Sequence, residues 1–132
     1  YCSPFLRTLQ TIYPYCFEYN KYINIDYALL PVYKIDTKDK STSFINYYND
    51  INDFFNYLVP IINQEYRSSV FSNNIKIHEE EVDIKNRIHT FLNYICKSYD
   101  NTDKNIVVVV DYDIIQFITN SFKNTKYTIE II

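Results

Sequence analysis

No glycine, methionine or tryptophan occurs among the 132 residues. Tyrosine occurs 15 times, and Ile, Asn and Lys abound beside it. All of these have AT-rich codons, so the skew reads as a base-composition bias of the source genome. The tyrosines are therefore not, by number alone, an aromatic binding surface. Their clusters (Tyr13, Tyr15, Tyr19, Tyr22 and Tyr27; Tyr47 and Tyr48) fit core and rim packing, or, if exposed together, a protein interface. The absence of Met bears on completeness. A translated chain starts with Met and this one starts Tyr1-Cys2-Ser3-Pro4, so a segment upstream of Tyr1 is expected.

A basic stripe is also lacking. Net charge is −3, and the lysines of Lys34 to Lys40 and Lys123 to Lys126 are diluted by Asp and Asn. Charge thus argues against a nucleic-acid partner. No apolar run approaches the ~20 residues that a membrane span needs, and no signal peptide is visible. Cys2, Cys16 and Cys96 are odd in number and lack metal spacing. A free buried thiol at Cys96 is the expectation, with a reducing intracellular setting, cytoplasmic or nuclear. The two histidines, His78 and His89, lie off any catalytic pattern. His89 falls beside the apolar stripe of its helix, and His78 precedes an acidic helix start. No cofactor is implied.

With 47% hydrophobic residues, the chain can fill the core of one domain, residues 1–132. Tyr1 to Ser3 reads as the tail of a strand. Pro4 to Tyr19 reads as a helix with Ser3 as N-cap and Pro14 as a kink. Ile23 to Asp26 reads as a short strand, and Asp36 to Ser43 as a polar loop. Phe44 to Leu58 has helical spacing, and Pro60 ends or kinks it, with Ile61 to Tyr66 as its continuation in the second case. Arg67 to His78 is irregular. Glu79 to Tyr99 is the strongest helix, with Ile84, Ile88, Phe91, Leu92, Ile95, Cys96 and Tyr99 on one stripe and three glutamates at its positive end. Ile106 to Val110, five consecutive β-branched residues, reads as a strand buried on both faces. Asp113 to Phe122 is helical, and Lys126 to Ile132 alternates as a last strand. Helix, buried strand, helix, strand predicts an α/β domain with a covered sheet.

Four blocks in order resemble the histidine phosphatase (phosphoglycerate-mutase-like) superfamily. Ser3-Pro4-Phe5-Leu6-Arg7-Thr8-Leu9-Gln10-Thr11 is similar to its S-P-x-x-R-x-x-x-T segment. Ile25-Asp26-Tyr27-Ala28-Leu29-Leu30 resembles its next strand. Glu80-Glu81-Val82-Asp83-Ile84-Lys85-Asn86-Arg87 resembles its E-S-x-x-D-x-x-x-R helix start, with Glu81 where Ser is usual and the Asp one place early. Asn105 to Ile115 resembles the strand and turn carrying its second histidine. The resemblance implies a three-layer α/β/α sandwich with a mostly parallel sheet, its first strand missing. It also implies a phosphate-binding remnant at Ser3 and Arg7, where a guanidinium one turn into a helix can hold two phosphate oxygens.

The departures from the pattern concern catalysis. The nucleophilic histidine of the family's R-H-G segment would lie upstream of Tyr1. The second histidine falls at Asp111, and the acid position falls near Pro31. A carboxylate about 4 Å from a phosphate charge is repelled by roughly 4 kcal/mol at an effective dielectric of 20, whereas transfer needs positive or donating groups there. Asp111 also suits a plain helix N-cap, as does Asp113, and Arg7 suits a plain surface arginine. The pair of carboxylates is thin for a metal, and none is expected. The expectation is an inactive histidine-phosphatase-like module that binds a protein partner or serves a larger assembly, with phosphate or sulfate able to sit near Arg7. One alternative is an active phosphomonoesterase or mutase whose catalytic histidine lies upstream. The other is an unrelated structural subunit, for which Arg7 and Asp111 would be far apart.

Overall fold

The longest apolar stripe makes the longest helix. In the computed structural model, which describes residues 1–32, 58–76, 78–122, 127, 128 and 130, the chain is carried by α1 (Leu6–Glu18), α2 (Glu81–Tyr99) and α3 (Tyr112–Ser121). Helix α2 starts two residues later than its stripe predicts. Asp83 Oδ2 accepts from the Glu80 backbone N–H at 3.1 Å, closing the first turn. Glu81 and Asp83 sit at the positive end of the helix and Lys97 in its last turn. Its buried stripe is Ile84, Ile88, Phe91, Leu92 and Ile95, packed with Ala28, Leu29 and Ile114. Each such side chain contributes roughly 1.5–3 kcal/mol on burial.

Helix α1 begins at Leu6, with Phe5 extended at the N-cap position (φ −74°, ψ 141°) and no side-chain cap. Ser3 stands two residues too early to cap it. Instead the Thr8 hydroxyl reaches the carbonyls of Phe5 and Ser3, at 2.7 and 2.9 Å. Pro14 lies inside α1 without ending it. The carbonyl it cannot serve is that of Gln10, an exposed residue, so water can satisfy it. Asn20, left-handed at φ 49°, stops the helix, and the Lys21 N–H closes it onto the Cys16 carbonyl at 2.9 Å.

The expected α/β/α sandwich with a parallel sheet is not what the chain forms. Among the described residues there is no sheet, only three isolated parallel bridges: Cys2 with Ile25, Cys2 with Val109, and Ile23 with Ile62. The reason is local. Beyond Ser3 comes Pro4, which has no N–H to extend a ladder. Beyond Ile25 the chain turns at Asp26 into a 3-10 helix, Tyr27–Leu29. Ile106 to Val110 is half-buried rather than covered on both faces, and Val107 is 46% exposed. Side chains still alternate about these bridges. Tyr1, Val108 and Val110 pack toward the α2 core. Cys2 and Val109 pack toward Leu9, Ile12, Cys16, Ile23 and Leu58.

Short 3-10 turns at Val59–Ile61 and Ser72–Asn74 fall where Pro60 and an irregular connection were expected. The helix expected before Leu58 and the loop expected at Asp36 to Ser43 lie outside the described residues. So does most of the strand expected at Lys126 to Ile132. No helix among the described residues is long and apolar enough to cross a membrane.

Candidate functional site

The Cys2–Val109 bridge sets the ends of two extended segments side by side. Ser3 N donates to Val109 O at 3.0 Å, and Val109 N donates to Tyr1 O at 3.0 Å. One segment then turns into α1 and the other into α3. The first turn of α1 carries Arg7, and the N-cap position of α3 is Asp111. The two residues meet: Arg7 Nε donates to Asp111 Oδ1 in an ion pair across 104 positions of sequence. The Arg7 guanidinium also lies over the Phe5 ring, 4.8 Å from its centroid.

Asp111 holds the N-cap position yet its side chain caps nothing. Its Oδ1 is committed to Arg7, and its Oδ2 is buried with no hydrogen-bond partner among the described residues. Ser3 is fully buried, and its Oγ likewise has no partner among the described residues. Pro31 is buried and offers only a carbonyl, which accepts from Arg87 Nη2 at 3.3 Å. A carboxylate does come close to Pro31, but from α3: Asp113 Oδ2 accepts from Val32 N at 2.7 Å. The other oxygen of Asp113 is buried and has no partner among the described residues. The resemblance therefore named Ser3, Arg7, Pro31 and Asp111, and the fold joins Arg7 to Asp111 directly.

Two polar centres were not anticipated. Arg87 is 5% exposed and sits on the buried stripe of α2. Its Nε and Nη2 grip Glu79 at 2.8 and 2.9 Å, and its Nη1 donates to Ala28 O at 2.5 Å. The signal was in the spacing, because Arg87 falls three residues after Ile84 and four before Phe91. Asp26 is the second centre and is fully buried. Its Oδ1 accepts from Ala28 N, Ser68 Oγ and Ser69 Oγ at 2.9, 3.0 and 2.9 Å. Its Oδ2 accepts from Tyr66 Oη and Ser69 N at 2.5 and 2.8 Å. Such a set satisfies a buried carboxylate without any cation. Burial, together with the bond to Asp26, pushes the Tyr66 phenol well above its ordinary range.

His78 and His89 are exposed. The three cysteines are free. Burial pushes the Cys2 thiol up to about 11. Cys96 is half-buried, less enclosed than its place on the stripe suggests. Among the described residues no group of three or more His, Cys, Asp or Glu side chains could hold a metal ion. No protein-family model matches this chain, and no curated protein matches it either.

Proposed function

We propose that this chain is a catalytically inactive, histidine-phosphatase-like module that serves as a binding or structural element for a protein partner. The observation that supports the reading is the Arg7–Asp111 ion pair. Two positions chosen from separate sequence blocks meet in one place, as a shared ancestral pocket requires. What meets Arg7 there is a carboxylate. An anion on the guanidinium does what a phosphate would do, so a phosphoryl group must displace Asp111 and then sit beside its charge. The orphaned Oδ2 deepens the mismatch, because it adds a second acceptor where phosphoryl transfer needs donors.

The test is a phosphomonoesterase assay of the purified chain with p-nitrophenyl phosphate. The expected rate equals that of the buffer. Turnover that disappears in Arg7→Ala would overturn the proposal in favour of a working phosphatase.

A further inference from the structure

Four phenols form one cluster against α2. The Tyr1 ring centroid lies 5.4 Å from that of Tyr66 and 6.4 Å from those of Tyr94 and Tyr99, and Tyr66 lies 6.0 Å from Tyr94, all edge to face. Tyr94 is 37% exposed and brings the cluster to solvent. The hydroxyls differ in what they bond. Tyr1 Oη and Tyr99 Oη bond each other at 2.9 Å, phenol to phenol. Tyr66 Oη donates to Asp26 Oδ2 at 2.5 Å, in the range of a charge-assisted bond between a hydroxyl and a carboxylate. A second phenol–carboxylate pair, Tyr127 with Asp100, is exposed and longer, at 3.4 Å.

The Tyr66 bond places a proton acceptor where an oxidised phenol needs one. Asp26 is fully buried, and Ala28 N, Ser68 Oγ, Ser69 Oγ and Ser69 N fix its carboxylate in place. In the resting protein the proton belongs to the phenol, the weaker acid of the two. Loss of one electron reverses that order, because a phenol radical cation is a far stronger acid than a carboxylic acid. A positive charge left on the ring is costly to bury. Transfer of the proton along the short bond removes it and neutralises the buried carboxylate in the same event. Tyr1 and Tyr99 have only each other's hydroxyl in that direction, and a phenol is a much poorer proton acceptor than a carboxylate.

We infer that Tyr66 is the residue on which one-electron oxidation of this protein comes to rest, with Asp26 as its proton acceptor. The oxidant is an outer-sphere species of high potential, an organic radical or a high-valent metal complex, that meets the cluster at Tyr94. It gains one electron. Tyr66 loses that electron, its O–H bond breaks, and the proton forms a new O–H bond at Asp26 Oδ2. The products are a neutral Tyr66 phenoxyl radical, the carboxylic acid of Asp26 and the reduced oxidant. One electron from a reductant, with the proton returning from Asp26, restores the phenol. This inference is independent of the phosphatase resemblance.

Photogenerated tris(bipyridine)ruthenium(III), applied to the purified chain and followed by freezing and electron paramagnetic resonance, tests it. The native chain should give a tyrosyl signal that persists after the oxidant is spent. Tyr66→Phe removes only the hydroxyl and should lose that persistent signal, whereas Tyr127→Phe, at the exposed pair, should keep it. Because Tyr66→Phe can loosen the fold, a second measurement uses the native chain alone. In heavy water the signal should form more slowly, since a proton moves with the electron. A persistent signal of equal size in Tyr66→Phe overturns the inference. So does formation at the same rate in heavy water, and so does a native chain whose radical is carried on sulfur.

Discussion

Arg87 and Asp113 hold the two ends of a single peptide group. The Pro31 carbonyl accepts from Arg87 Nη2 at 3.3 Å, and the Val32 N–H of that same peptide donates to Asp113 Oδ2 at 2.7 Å. Positive charge meets the negative end of the peptide dipole and negative charge meets its positive end. Behind Arg87 stands Glu79, its side chain 6% exposed, so a sequence of charges links α2 to α3 through the Pro31–Val32 peptide.

Removing one member of that sequence should be severe. Glu79→Ala leaves the guanidinium of Arg87 buried without its bidentate partner. The expected loss is about 3–5 kcal/mol in urea unfolding. Arg7→Ala, at an ion pair whose arginine is 57% exposed, should cost no more than about 1 kcal/mol in the same experiment. Equal losses would mean that the Glu79–Arg87 pair is not the anchor its burial indicates.

Tyr66→Phe removes the hydroxyl bonded to Asp26 Oδ2. At neutral pH the expected cost is about 1–3 kcal/mol, since a buried carboxylate loses a donor. The sign with pH follows from the raised phenol. A group whose pKa is higher folded than unfolded contributes stability that is intact below its ordinary value, about 10 for tyrosine, and is lost as pH rises beyond it. Unfolding free energy followed from pH 8 to 11 should therefore fall less steeply in Tyr66→Phe than in the native chain.

At the start of α2, Asp83 is held below the usual carboxylate range, first by the Lys76 ammonium 2.7 Å away and then by the Glu80 backbone N–H. A lowered carboxylate stabilises above its unfolded value, and the contribution disappears as pH falls through the folded one. The Lys76 ammonium is exposed and Asp83 is half-buried at the surface, so the effect is local. Lys76→Ala should move the Asp83 titration upward in carboxylate NMR, and fraying of the first α2 turn should begin at higher pH. A titration that does not move would show that the ion pair is not formed in solution.

Thiol chemistry should rank the cysteines. Cys2 and Cys16 are buried and burial raises both thiols, whereas Cys96 is half-buried. Iodoacetamide followed by peptide mapping should label Cys96 first in the folded chain. Equal labelling of all three would contradict the enclosure of the core around Cys2.

Periodicity carried the helices well. Helix α3 falls within one residue of the apolar pattern that predicted it, and α2 within two. Those signals are local, written every three or four residues. The sheet failed because a β-branched run states only that a segment is extended, not how many partners it finds. Ser3 misled as a cap because Ser-Pro opens many helices, but here Phe5 takes the cap position. Arg7 and Asp111 could be singled out one by one, whereas their meeting depends on the Cys2–Val109 bridge. Four of the five donors to Asp26 come from residues 66 to 69, in a stretch with no pattern at all. A contact spanning some 40 positions leaves no periodic trace.

Asp26 gathers those donors as a cross-link would, tying one end of a long excursion of the chain to the other. A closed excursion has an entropy that depends only on the logarithm of its length. Doubling it costs about 0.6 kcal/mol, less than losing a single hydrogen bond at the clasp. The clasp at Asp26 therefore matters more to the fold than the length of chain it closes.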